Sequence, residues 1–302
     1  MSACILVLGP RGQVGTELQR ALAPLGPVVA WDRLDGGDLA DPQRLHDAVL
    51  ALRPRAIVNA AAYTAVDRAE SEPELAELIN AQAPAALARA AQTLGAWLVH
   101  YSTDYVFAGD GEQPWCEGDA TSPLNVYGQT TWLGEQAVQA NCERHLVFRT
   151  SWVYGLVGAN FAKTMVRLAL QRERLQVVDD QMGAPTGAAL IADVSAHALR
   201  QAMSNEALAG LYHLAAAQTC SWHGYAQHVI ERAKGLRPDW TWAVKEVAAV
   251  DSSAFASAAK RPLNSRLDTS RLRETFGLNL PPWQFGVDQF LRAWLAVHAP
   301  EQ

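Results

Sequence analysis

Little in this chain is basic, and nothing in it repeats. Lysine and arginine together number 25 against 31 aspartates and glutamates, a net charge of −6 with no basic run. That balance argues against a surface made for nucleic acid or an anionic membrane. Cysteine is scarce: Cys4, Cys116, Cys142 and Cys220 lie far apart, with no Cys-x-x-Cys pair. Scattered thiols fit reduced cysteines in a cytoplasmic protein better than a disulfide framework. No apolar run is long enough to span a membrane, and the first, Cys4–Leu8, is too short for the core of a signal peptide. The eight histidines show no ligand spacing, and His223 and His228 do not share a helical face. The expectation is a cytoplasmic globular protein with no nucleic-acid or membrane partner.

The chain is rich in apolar residues, 49% of 302, enough for one large α/β domain or two smaller ones. Short apolar runs at Cys4–Leu8, Val28–Trp31, Ala56–Val58, Ala96–Ser102 and His145–Thr150 read as buried parallel strands. Helical segments lie between them. Val14, Leu18, Leu22 and Leu25 share one helical face, and Asp41-Pro42 is an N-cap followed by proline at the first helical position. Glu74 to Leu94 reads as one alanine-rich helix with Leu75, Leu78, Ile79, Leu87 and Leu94 inward. The alternation predicts an α/β fold with a doubly wound parallel sheet of Rossmann type. Beyond about residue 152 proline and tryptophan increase, with helices expected at Phe161–Gln171, Leu190–Met203 and Trp283–Val297, and a returning strand at Leu211–Leu214. We therefore expect residues 1–152 plus about 186–215 to form a dinucleotide-binding domain, and about 153–185 plus 216–302 a smaller substrate-binding lobe.

Gly9-Pro10-Arg11-Gly12-Gln13-Val14-Gly15 follows a strand and opens a helix. Glycine permits a tight turn and close approach of a pyrophosphate, which the free N–H groups of the helix start can bind. The spacing is Gly-x-x-Gly-x-x-Gly, not the commonest dinucleotide fingerprint, but the βαβ context and Asp32 at the end of the second strand support a cofactor site. Asp32 would accept hydrogen bonds from a ribose, whereas Arg33 would attract a 2′-phosphate, so NADH and NADPH both remain open. Asp38 and Leu39 would sit beside the adenine, and Ala62, Tyr63 and Thr64 follow the third strand, where small side chains let the backbone approach the cofactor.

The segment from Ser102 to Glu135 carries the chemistry. It places Ser102 and Thr103 at the end of a strand and Tyr127 at the start of a helix. A hydride acceptor needs a positioned acid for its developing alkoxide, and tyrosine serves if its pKa, ordinarily about 10, is lowered. One turn on, where a lysine is expected to supply positive charge, stands Thr131, and no lysine lies between Tyr127 and Lys163. Lys163 and Arg261 are candidates for a diphosphate; the tryptophans read mostly as core, with one available to stack on a base.

With these residues in place the chain resembles the dTDP-4-dehydrorhamnose reductases, of the extended short-chain dehydrogenase/reductase superfamily, over nearly its whole length. The matching segments are Gly12–Gly15, Asn59–Asp67, Ser102–Phe107, Ser122–Gly128, Arg149–Tyr154, Asp180–Thr186 and Arg261–Leu267. The resemblance implies NADPH- or NADH-dependent reduction of the C4 ketone of a dTDP-sugar, giving dTDP-L-rhamnose for cell-surface polysaccharide. By position it implies Tyr127 as proton donor, Thr103 as the residue tuning it, and Thr103, Asp104 and Trp152 as sugar contacts. It also implies Gly12, Gln13, Val14, Asp32, Asp38, Leu39, Ala62, Tyr63 and Thr64 as cofactor contacts. Thr131 departs from the family's lysine; it can still bond a ribose hydroxyl but brings no charge. Some members are described as Mg2+-linked homodimers; Glu17 fits such a role, but Ala189 stands where a glutamate is expected, which argues against that metal site here. Thr131 also keeps two alternatives open: a non-catalytic homologue, as the regulatory subunit of methionine adenosyltransferase is, and a related nucleotide-sugar epimerase or dehydratase retaining tightly bound cofactor.

Overall fold

Four of the six strands of the main sheet have only four residues, because each needs only to cross one apolar layer between two sets of helices. The computed structural model describes residues 4–255 and 257–298. In chain order the first half comprises β1 (Ile5–Leu8), α1 (Gln13–Leu22), β2 (Val28–Trp31), α2 (Pro42–Leu52), β3 (Ala56–Asn59), α3 (Val66–Ala69), α4 (Pro73–Glu77), α5 (Ala83–Leu94), β4 (Trp97–Thr103), α6 (Val126–Asn141) and β5 (His145–Thr150). The second half adds β6 (Val153–Tyr154), α7 (Phe161–Gln171), β7 (Arg174–Val178), β8 (Met182–Gly183), β9 (Thr186–Gly187), α8 (Ala188–Ala202), β10 (Gly210–His213), β11 (Cys220–Ser221), α9 (Trp222–Leu236), β12 (Glu246–Val250), α10 (Ser270–Phe276) and α11 (Trp283–Val297).

The main sheet has the order β10-β5-β4-β3-β1-β2, and every pairing in it is parallel. This is the doubly wound α/β arrangement expected, with its strand order reversing at β1, so that a crevice opens between the carboxyl ends of β1 and β3. Alternate side chains feed two cores. Ile5, Val7, Val58, Val99 and Phe148 meet α1, α8 and α10, while Leu6, Leu8, Ile57, Leu98 and Val147 meet α2, α5 and α6. A third core lies in the second half, where Met165, Val166, Leu175, Tyr225, Val229, Trp283 and Phe290 gather from α7, β7, α9 and α11. Among the described residues no helix is long and apolar enough to cross a membrane.

The helix expected over Glu74–Leu94 is present as an unbroken helical run that is widened in its middle. It is a short α4, a wide π-turn over Leu78–Gln82, and then α5. Pro84 is the cause: it has no N–H for the carbonyl four residues back, and its ring displaces that carbonyl. The freed carbonyl of Asn80 packs against α6 at Gly134, where a Cβ would come within 2.1 Å of it. Leu75, expected inward, is 38% exposed, and the buried face of α5 is instead built from Ala83, Ala86, Ala88, Ala90 and Ala91 with Leu87.

One polar contact is sealed inside these layers. Arg149 on β5 donates from Nε and Nη2 to the two carboxylate oxygens of Glu135 on α6, both at 2.7 Å, and Ser102 on β4 donates to the same carboxylate at 2.5 Å. Both charged residues are fully buried, and the guanidinium lies 4.8 Å from the centre of the Phe107 ring. Removing one partner of a buried pair leaves an uncompensated charge, so Glu135→Ala should lower the free energy of unfolding by about 3–5 kcal/mol. Urea denaturation followed by circular dichroism measures it, and a loss under about 1 kcal/mol would show the pair to be dispensable.

Candidate active site

The crevice at the switch point is floored by the glycine turn. Gly9 has φ +72°, and a Cβ there would meet Ala60 and Ala61 at 3.0 Å. A Cβ on Gly15 would lie 2.0 Å from the Gly9 carbonyl, so Gly15 sits beneath the turn and presses α1 against it without lining the crevice. The Gly12 amide donates to the Gly9 carbonyl at 3.0 Å, and Gln19 and Thr16 hold the Pro10 carbonyl at 3.0 and 3.1 Å. No side chain caps the start of α1, which leaves its first-turn amides open to an anion. A dinucleotide fits such a cradle: the floor admits no side chain, and the donors are unspent.

Two adjoining cavities, of about 610 and 310 Å3, share Gly9, Arg11, Gly12, Ala61 and Ala62. The smaller contains Asp32, Arg33, Asp38 and Leu39. Arg11, unremarked in the sequence, pairs with Asp32 at 2.6 Å, and the Leu34 amide, ahead of that guanidinium, holds Asp32 below the usual carboxylate range. Arg33 approaches Asp38 at 3.7 Å. The larger cavity brings together Gln13, Val14, Ala62, Thr64, Thr103, Asp104, Tyr127 and Trp152, and adds Tyr105, Thr150 and Trp222.

Tyr127 owes its place to the cap before it. Asn125 accepts from the Gly128 amide at 2.8 Å, and a Cβ on Gly128 would lie 2.3 Å from the Tyr105 carbonyl, so the start of α6 rests on the turn after β4. The Tyr105 ring meets Tyr127 edge-on at 5.6 Å. Burial pushes the Tyr127 phenol up to about 12; the Thr103 hydroxyl holds it down, and the Asp104 charge raises it. Asp104 is itself pushed up to about 7 by burial, against hydrogen bonds from Ser265 and Thr103. Trp152 adopts φ +49° and stacks on Trp222 at 3.7 Å, in space that exists because a Cβ on Gly183 would come within 2.6 Å of the indole. That stacking partner was signalled in the sequence only by the abundance of tryptophan.

Four expected contacts lie elsewhere. Tyr63 turns away: its amide donates to Asn80 at 2.7 Å and its hydroxyl to Glu72 at 2.5 Å, because the π-turn points Asn80 at this loop. Thr131 is buried beside Tyr127, where its hydroxyl donates to the Tyr127 carbonyl at 2.7 Å, and it does not line the crevice. Lys163 donates to the carbonyls of Leu156 and Gly158 at 2.7 and 2.8 Å and lines a different cavity. Arg261 is engaged with Asp67 at 2.7 Å at the edge of the site. Glu17 pairs with Arg20 at 3.2 Å and shares a separate groove with Ala189; among the described residues no three histidine, cysteine or acidic side chains gather as a metal requires.

The family described as RmlD substrate binding domain matches residues 3–295. The chain belongs to this family. A dTDP-4-dehydrorhamnose reductase of Escherichia coli (strain K12) is 53% identical over 290 residues, covering 95% of this chain and 96% of the relative. That of Burkholderia thailandensis is 44% identical over 296 residues, covering 97% and 99%. The structure of the Bacillus anthracis reductase in complex with NADP superposes with a TM-score of 0.86 at 35% identity, covering 96% of this chain and 99% of that one. A UDP-glucose 4-epimerase of Brucella ovis, at 18% identity and TM-score 0.76, shares the fold alone.

The glycine packing of this RmlD-family member yields a prediction. Gly15→Ala should weaken NADPH and NADH binding at least about tenfold, about 1.4 kcal/mol, because the turn must open to admit the methyl group. A fluorescence titration reads it, and unchanged affinity would show that the turn does not hold the cofactor.

Proposed function

We propose that this chain reduces the C4 ketone of dTDP-4-dehydro-L-rhamnose to dTDP-L-rhamnose, with hydride from NADPH or NADH and Tyr127 as proton donor. When bound, the reduced nicotinamide supplies the hydride. The observation that carries the reading is that Tyr127 and Thr103 together line the cavity that adjoins the glycine turn. Family membership and reductases at up to 54% identity support it.

In this reading the turn and the α1 amides hold the pyrophosphate, Asp32 the ribose, and Leu39 and Ala62 the adenine. Asp32 suits a free ribose hydroxyl, while Arg11 and Arg33 suit a 2′-phosphate, so either nucleotide is accommodated. Thr103, Asp104 and Trp152 face the sugar. Because burial pushes the phenol upward, it stays protonated throughout the neutral range but is a weaker acid toward the substrate oxygen. A lysine one turn away would lower it, since a cation favours phenolate. We assign cofactor binding to residues 1–152 and about 186–215 and sugar binding to the remainder, a division supported by the separate third core. A cytoplasmic location and a homodimer complete the reading, without a shared magnesium ion, since Ala189 offers no ligand.

The test is oxidation of NADPH and of NADH with the dTDP-4-dehydro sugar. Tyr127→Phe should lower kcat by about 10²–10⁴ while nucleotide affinity holds; retained turnover would remove Tyr127 as the acid. Thr131→Lys should raise the reduction rate and move the phenol's titration to lower pH, read from the pH–rate profile. An unchanged rate and profile would show that the missing charge is immaterial.

A further inference from the structure

Ala61 and Ala62, in the loop after β3, border both cavities, and Ala60 borders the larger. The glycine turn rests on this loop: a Cβ on Gly9 would meet the Ala60 carbonyl and the Ala61 Cα at 3.0 Å. Three small residues therefore set the width of the crevice in which the coenzyme lies. Asn59, at the end of β3, holds them. Its Oδ1 accepts from the Ala61 amide at 3.3 Å, and its Nδ2 lies 3.2 Å from Nδ1 of His100 on β4. His100 is buried and does not line the crevice. We propose that it is a positioning residue for the coenzyme, fixing through Asn59 the loop that faces the glycine turn, an inference that rests on the coenzyme site of the reductase reading.

The direction of each bond follows from the chemistry of its groups. An amide nitrogen donates and an amide oxygen accepts. The Ala61 amide fixes which end of Asn59 carries the oxygen, so Nδ2 faces the ring. Nδ1 of His100 is then the acceptor, the ring is neutral, and its proton sits on Nε2. Asn59 and His100 are opposite each other in the register of two parallel strands, so the contact is built into the sheet.

The other edge of the ring meets α6. Nε2 is buried, has no hydrogen-bond partner among the described residues, and lies 3.6 Å from where a Cβ on Gly134 would stand. A buried donor left unpaired is destabilising, and a leucine in that slot would carry no such donor. Packing alone therefore does not require histidine there. What an apolar side chain could not do is hold Asn59. The same helix carries Tyr127, two turns before Gly134, so the ring stands between the helix of the proton donor and the loop of the coenzyme.

The tautomer is read directly on the native, coenzyme-free chain. Long-range proton–nitrogen NMR spectra of the histidine rings should show His100 with its proton on Nε2; a proton on Nδ1, in either charge state, overturns the proposal whether or not any variant folds. Fluorescence titration with NADPH is the second measurement. His100→Leu should bind about two- to tenfold more weakly, the loss of one hydrogen bond that orders the loop. His100→Gln, which offers Asn59 an acceptor again, should recover most of that affinity. Thermal melts separate positioning from packing: the leucine variant should keep its melting temperature within about 3 °C. In turnover its KM for NADPH should rise while kcat holds within about twofold. Unchanged affinity in the leucine variant overturns the proposal. So does a joint fall of affinity and melting temperature that glutamine leaves unrepaired, which would make His100 a packing residue only. A native chain that binds neither NADPH nor NADH overturns the coenzyme reading itself, and this inference with it.

Discussion

The wall of the crevice is tied at Ser102 to a charge pair that does not itself line it. Arg149 and Glu135 are shut away from water between β5 and α6, joined by two bonds of one length and by Ser102 from β4. Replacing such a pair with apolar residues is often neutral or stabilising, so its value is not as a source of stability. It fixes register instead. Ser102 immediately precedes Thr103, and Glu135 lies two helical turns after Tyr127 on the same helix, so one carboxylate sets where both hydroxyls stand. A slide of α6 along the sheet would break the bridge before it moved the phenol far.

The consequence for chemistry is a tyrosine placed by geometry and poorly served by charge. Its neighbours are hydroxyls, an aromatic edge and a carboxyl, with no cation among the groups that shift it. Each pKa unit separating the phenol from neutrality is about 1.4 kcal/mol of unfavourable proton transfer to be met some other way.

Much of the fold was legible because parallel strands covered on both faces leave unbroken apolar runs, and because Asp41-Pro42 marks a helix start by local chemistry alone. What was hidden depends on partners distant in sequence. Pro84 was visible, but not that its missing donor would widen the turn before it and aim Asn80 at the loop of Tyr63. The pairing of β7 with β12 joins segments about seventy residues apart, and neither has a periodic signature strong enough to name the other. Within the site, the placement of Gln13, Asp32, Thr103 and Tyr127 follows from which strand or helix end each occupies. Lys163 could not be placed from sequence, because the carbonyls of Leu156 and Gly158 that it bonds are set by the loop before α7.

The last strand of the sheet, β10, and the segment that brings Ser265 to Asp104 both come from the final third of the chain. Arg261 and Ala259 tie that segment back to Asp67, and Leu263 and Asn264 bond the Gly109 carbonyl. A ribosome therefore finishes the glycine cradle long before the opposite wall exists. Until those last residues emerge, the crevice has its floor but not the segment that carries Arg261 and Ser265.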